Sequence, residues 1–143
     1  MSDTDSSSIG APAALPHDRQ PAIRVLAMPA DTNAAGDIFG GWLMSQVDIA
    51  GSIAAYQHAR GRIVTVAVNS FQFIKPVFVG DLVSCYSHVV SVGHSSMVVE
   101  VEAYAQRERG HLETELVAQA RLTYVAIDAD RRPRQVDPLG EPD

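Results

Sequence analysis

Residues 36–57 read GDIFGGWLMSQVDIAGSIAAYQ, and from Gly41 to Gln57 the only charged side chain is Asp48. Leu43, Val47, Ala50 and Ala54 recur at helical spacing and form one stripe of a helix. Trp42, Ile49 and Ile53 carry apolar surface round much of the remainder, so the expected helix is buried on most sides. Burying an unpaired carboxylate on such a segment costs several kcal/mol, the scale of a whole domain's stability margin. Asp48 therefore reads either as a structural carboxylate bonded to a nearby amide or serine, or as a charge kept for chemistry. Gly36, Gly40 and Gly41 precede the helix, and the polar turn Gln57-His58-Ala59-Arg60 leads to Gly61, which is expected to end it.

Towards the N-terminus, Ile23 to Ala27 reads as a short strand, closed by Met28-Pro29 and a loop with Asp31, Asn33 and Gly36. Towards the C-terminus the pattern changes to four strands, Ile63 to Ile74, Leu82 to Val92, Met97 to Gln106 and Leu116 to Ile127, rich in Val, Thr, Tyr and Phe. Their separators are turn signals: Lys75-Pro76 with Gly80-Asp81, Gly93-His94, and Arg109-Gly110. These are short enough for antiparallel pairing of chain neighbours in most cases. A mostly apolar helix hidden against one curved antiparallel sheet gives a two-layer α+β domain. Long strands leave sheet edges, which edge-to-edge dimerisation covers.

The 143 residues, 46% of them hydrophobic, suffice for one domain with a real core, placed at residues 21–129. Residues 1–20 are acidic and polar and 130–143 are rich in proline and charge, so both are expected as disordered tails. A net charge of −6 with no long basic block argues against nucleic-acid binding. Cys85, the single cysteine, forms no intrachain disulfide, reads as a small core filler and suits a reducing compartment, the cytoplasm. The N-terminus lacks the pattern of a secretory signal, and no apolar run is long enough for a membrane span.

Other chemistries fit poorly. His17, His58, His88, His94 and His111 show no metal-ligand spacing, so no metal is expected. Ser45, Ser52, Ser70, Ser95 and Ser96 lack the GxSxG elbow of a serine hydrolase. No Lys-Ser/Thr pair follows the glycines as in a phosphate-binding loop. Taken singly, Asn33 is a turn residue or helix cap.

Larger blocks carry more. Ala27-Met28-Pro29-Ala30-Asp31-Thr32-Asn33, GDIFGGWLMSQVD from Gly36 to Asp48, GRIVTVAV from Gly61 to Val68, FIKPVFVGD from Phe73 to Asp81 and TYVAID from Thr123 to Asp128 together resemble the signature of hot-dog-fold acyl-CoA thioesterases of the bacterial YciA type. The resemblance implies a sheet wrapped round one long helix, paired into dimers with a continuous sheet and plausible as a trimer of dimers. It implies hydrolysis of acyl-CoA to acid and coenzyme A, with no cofactor besides the coenzyme A of the substrate. It also implies a catalytic pair, Asn33 in the loop and Asp48 fifteen positions on, with the Gly40 amide as oxyanion donor. Ala35 and His94 depart from the residues common at those positions, Asn or His and Arg respectively.

The chemistry is consistent with these residues. Thioester hydrolysis needs an activated water, or a nucleophile, and a donor for the developing oxyanion. Asp48 can serve as general base or attack directly, and the Gly40 and Gly41 amides at a helix start point outward with the helix dipole behind them. Gly41 and Asp48 are separated by about 10 Å of helix rise, at roughly 1.5 Å per residue. Base and donor for one carbonyl are then expected from different subunits. For coenzyme A, the candidates are Arg62, Lys75, His94, Ser95 and Ser96, with Thr65 and Val66 in a strand whose backbone pairs with the pantetheine arm. Two alternatives stay open: a hot-dog hydratase acting on an acyl thioester, and a non-catalytic acyl-CoA-binding sensor.

Overall fold

The computed structural model describes residues 13–140. Strand β1 (Ile23–Leu26) leads through a single 3-10 turn, Pro29–Asp31, to helix α1 (Gly40–Ala59). Strands β2 (Ile63–Phe73), β3 (Leu82–Val92), β4 (Ser96–Glu108) and β5 (Leu112–Ala126) follow. This is the expected element order. β4 and β5 run further than their apolar residues suggested, because the hairpin goes on pairing to Glu108 opposite Leu112, with Arg107 opposite Glu113. Arg60, not Gly61, takes the left-handed conformation that closes the helix (φ 57°), its N–H donating to the Tyr56 carbonyl. Gly61 is small for another reason: a Cβ there would lie 2.8 Å from the Arg134 guanidinium.

The five strands form one antiparallel sheet in the order β1-β3-β4-β5-β2. The expected pairing of neighbours holds from β3 to β5 and fails for β2. β3 is occupied on both sides, by β4 and by β1, so β2 takes the free side of β5. The β2–β3 connection is anchored as it crosses, since the Asp81 carboxylate accepts the Phe78 N–H and a two-pronged bond from Arg107 at 2.9 and 2.7 Å. Paired mainly with Asp81, the Arg107 guanidinium is held charged more firmly than usual.

Helix α1 lies on one face of the sheet. Leu43, Val47, Ala50, Gly51, Ala55 and Ala59 are buried there, against inward-facing residues such as Val83, Cys85, Met97, Val99, Leu122 and Tyr124. The opposite side of the helix is open in the single chain, with Ile49 48% and Tyr56 55% exposed. A single sheet covers only one flank, so the expectation of burial on most sides is not met within one protomer. The unpaired edge of β2 is apolar as well, with Val66 and Val68 exposed. Among the described residues no helix is long and apolar enough to cross a membrane.

Both expected tails are partly docked. Residues 1–12 and 141–143 lie outside the described residues, but Arg19 pairs with Glu102 at 2.6 Å and stacks over the Tyr86 ring. At the other end Val136 is buried and its N–H donates to the His94 carbonyl. Arg134 donates to the Ala59 carbonyl at 2.7 Å, serving one of the acceptors that a helix end leaves free. Charge and proline content suggested disorder from residue 130; one apolar anchor and one helix-capping guanidinium hold the segment instead.

Candidate active site

Asp48 is half-buried on α1 and faces the sheet. Two hydroxyls donate to the same carboxylate oxygen: Thr65 Oγ1 to Oδ1 at 2.9 Å and Tyr124 Oη to Oδ1 at 3.0 Å. Thr65 on β2 and Tyr124 on β5 are directly paired across the sheet, so one rung presents both hydroxyls to the helix. A bulge just after Thr65 accompanies this placement. Burial first, and the adjacent carboxylate second, raise the Tyr124 phenol far above its ordinary range, so it stays a donor at any working pH. Among the described residues Oδ2 receives no hydrogen bond and no cation pairs with the carboxylate. One oxygen is fixed and the other is available.

Asn33 is locked in the loop before the helix. Its Oδ1 accepts the N–H groups of Ala35 and Asp37 at 2.9 and 3.1 Å, a turn held by its own side chain. With the carbonyl oxygen occupied, the amide Nδ2 is the end left for a ligand. Gly40 opens α1 after Phe39, and among the described residues the Gly40 and Gly41 N–H groups have no acceptor. Beside them lies a cleft of about 230 Å³, lined by Phe39, Gly40, Leu43, Phe73, Lys75 and Val77 among others. A Cβ at Gly40 would stand 3.3 Å from the Phe73 ring. The loop donor, the free amides and the cleft sit at one end of the helix, and the carboxylate stands about 12 Å along it, eight residues at roughly 1.5 Å each.

A family model of the thioesterase superfamily matches residues 35–112. The chain belongs to that superfamily. It is 50% identical to a Zymomonas mobilis protein named as an uncharacterized acyl-CoA thioester hydrolase, over 96% of this chain and 89% of that one. It is 46% identical to the acyl-CoA thioester hydrolase YciA of Escherichia coli, over 78% and 86% of the two chains. A hexameric hotdog-fold thioesterase of Campylobacter jejuni superposes with a TM-score of 0.81 at 43% identity, covering 85% of this chain and 93% of that one. The five-stranded sheet with one long helix is thus a hot-dog fold.

Within this thioesterase fold the residues expected at coenzyme A separate into two groups. Arg62, His94, Ser95 and Ser96 gather where α1 ends: the Arg62 carbonyl accepts from Ile127, that of Ser95 from Ala126, and that of His94 from Val136. Arg62 also borders a hollow of about 540 Å³ with Ser52, Ile53 and Tyr56. Lys75 stands at the other end, beside Gly40, and its ammonium pairs with Glu115 at 3.0 Å. That bond first, with Arg107 assisting, holds the Glu115 carboxyl below its usual range. Val66 lies in the β2 bulge on the free edge, where its backbone is open. Thr65, whose strand is expected along the pantetheine arm, turns its side-chain hydroxyl to Asp48.

Sequence reasoning included Tyr124 in a signature block but gave it no role. Its place in the alternation of β5 marks it as inward-facing, beside Leu122 and Ala126. Cys85 is buried as expected, and burial pushes its thiol up to about 12. Among the described residues no three His, Cys, Asp or Glu side chains cluster as metal ligands.

Proposed function

We propose that this thioesterase hydrolyses acyl-CoA to the free acid and coenzyme A, with Asp48 of one protomer acting opposite Asn33 and the Gly40 amide of a partner. The observation that carries the reading is the half-tethered carboxylate. Two hydroxyls hold Oδ1, which leaves Oδ2 to take a proton from water or to attack the thioester carbon itself. In the first route water adds to the carbonyl, and the tetrahedral oxyanion collapses with expulsion of the thiolate. In the second, Oδ2 displaces the thiolate and water then cleaves the mixed anhydride. Either way the carbonyl oxygen becomes negative, and the outward amides of Gly40 and Gly41 with Asn33 Nδ2 supply donors for it.

One helix cannot bring its own Gly40 and Asp48 to the same carbonyl, because donor and base each need to lie within about 3 Å of the reacting group. The free β2 edge and the open apolar side of α1 support a dimer that covers both, and the hexameric relatives support a trimer of such dimers. Arg62, His94, Ser95 and Ser96 are proposed to receive coenzyme A at the far end of the helix, with Lys75 contributing beside Gly40. An acyl-CoA-binding sensor has no need of free donors facing a free carboxylate oxygen. A hydratase is disfavoured because neither contact of Asp48 is a histidine. The test is thiol release across a panel of acyl-CoA chain lengths. Turnover of at least one length, lowered by about 10² or more by Asp48→Ala, is expected; a folded protein that binds acyl-CoA without releasing thiol would leave the sensor reading.

A further inference from the structure

Glycine in a helix interior costs about 1 kcal/mol relative to alanine, yet Gly51 sits mid-helix among Ala50, Ala54 and Ala55. The space around it gives the reason. A Cβ built at Gly51 would collide with the Tyr124 hydroxyl oxygen and lie 3.1 and 3.2 Å from ring atoms Cζ and Cε1. Gly51 is one helical turn beyond Asp48, on the same side, so the missing methyl is the seat of the hydroxyl that reaches Asp48. Tyr124 is fully buried.

Its hydroxyl lies 3.0 Å from both the Asp48 carboxylate and the Asp48 backbone carbonyl. It owns one proton, and the carbonyl sits mid-helix, where the Ser52 N–H is the regular partner. The charged acceptor makes the stronger bond. We propose that Tyr124 is a positioning residue for the catalytic carboxylate: seated in the notch left by Gly51, its hydroxyl fixes the Asp48 rotamer so that Oδ2 faces the substrate. Thr65 on β2 donates the second hydrogen bond to Oδ1, and Tyr124 comes from β5, which is paired on both sides within the protomer. The proposal rests on Asp48 being the reacting acid.

The experiment compares Tyr124→Phe, Gly51→Ala, their double variant and Asp48→Asn by steady-state kinetics with an acyl-CoA substrate, each well below its melting temperature. Tyr124→Phe keeps the ring and is expected to lower kcat about tenfold with KM within about twofold, as for loss of a hydrogen bond to a charged group. Gly51→Ala displaces the same hydroxyl and should give a similar kcat loss. The double variant should then fall no more than about twofold below Tyr124→Phe, since one hydroxyl is lost only once. A folded Tyr124→Phe enzyme with wild-type kcat overturns the proposal, as does a change confined to melting temperature or KM. Additive losses in the double variant overturn the shared notch. If Gly51→Ala does not fold, the kcat and KM of Tyr124→Phe decide alone. Near wild-type turnover by Asp48→Asn overturns the underlying reading of Asp48, whereas an inactive Asp48→Asn beside a normal Tyr124→Phe overturns only the positioning role.

Discussion

The two ends of the proposed chemistry are built from different materials. At the start of α1 the functional groups are backbone amides beside an open cleft, with Asn33 held by its own loop. In the middle of α1 the functional group is a side chain braced from two strands. An amide at a helix start needs only that nothing occupy it, so glycine and an exposed turn suffice. A carboxylate in a partly apolar setting has to be held and hydrated at once, which requires long-range contacts from β2 and β5. The donor half is thus local in sequence, and the acid half is a product of tertiary structure.

The sharpest way to break that comparison is to remove the acid. Asp48→Ala is expected to lower kcat by roughly 10² to 10⁴, the range for loss of a general base, in a folded protein. If the halves come from different subunits, mixing Asn33→Ala with Asp48→Ala protein restores activity. Random exchange makes about half the dimers mixed, each with one intact site, so recovery approaches roughly a quarter of wild-type specific activity. Mass spectrometry confirming mixed dimers without recovery would place both halves in one chain.

On the donor side, Gly40→Pro deletes the N–H and should cost about 10² in kcat, with circular dichroism confirming the helix. Gly40→Ala keeps the amide and only presses on Phe73, so a much smaller loss is expected. Full activity in a folded proline variant would exclude this amide. Thr65→Val removes one of the two braces on Oδ1 and should reduce kcat by about three- to tenfold with little effect on KM. The smallest effect concerns Cys85, whose thiol is pushed up to about 12. At pH 8 it stays protonated and buried, so a maleimide should label the native protein far more slowly than the urea-unfolded one; equal rates would show that the core opens freely.

Much of this was legible in the chain. The stripe Leu43, Val47, Ala50 announced the helix, Val, Thr, Tyr and Phe content between turn signals announced the strands, and the lone charge of Asp48 singled out the carboxylate that Thr65 and Tyr124 now hold. What could not be read was register. Thr65 meets Tyr124 only because β2 passes over its chain neighbour β3 to reach β5, and no local pattern encodes that choice. The docking of Arg134 and Val136 was hidden for a related reason. Composition averages over a segment, while a single apolar anchor and one guanidinium on a helix end decide its order. Gly51 was visible as a residue, but its meaning depended on a tyrosine 73 positions later in the chain.

That strand order also bears on how the protein acquires activity over time. Tyr124 is 76 residues beyond Asp48, and among the described residues β2 pairs only with β5, the last of the five strands in chain order. In chain order β2 has no strand to pair with until β5 follows, whereas α1 can already pack on β3 and β4. Contacts of such long sequence separation form slowly, because loop closure comes before any reward. During refolding, helical signal should therefore return ahead of turnover, and the acid should be set in place only as the sheet closes.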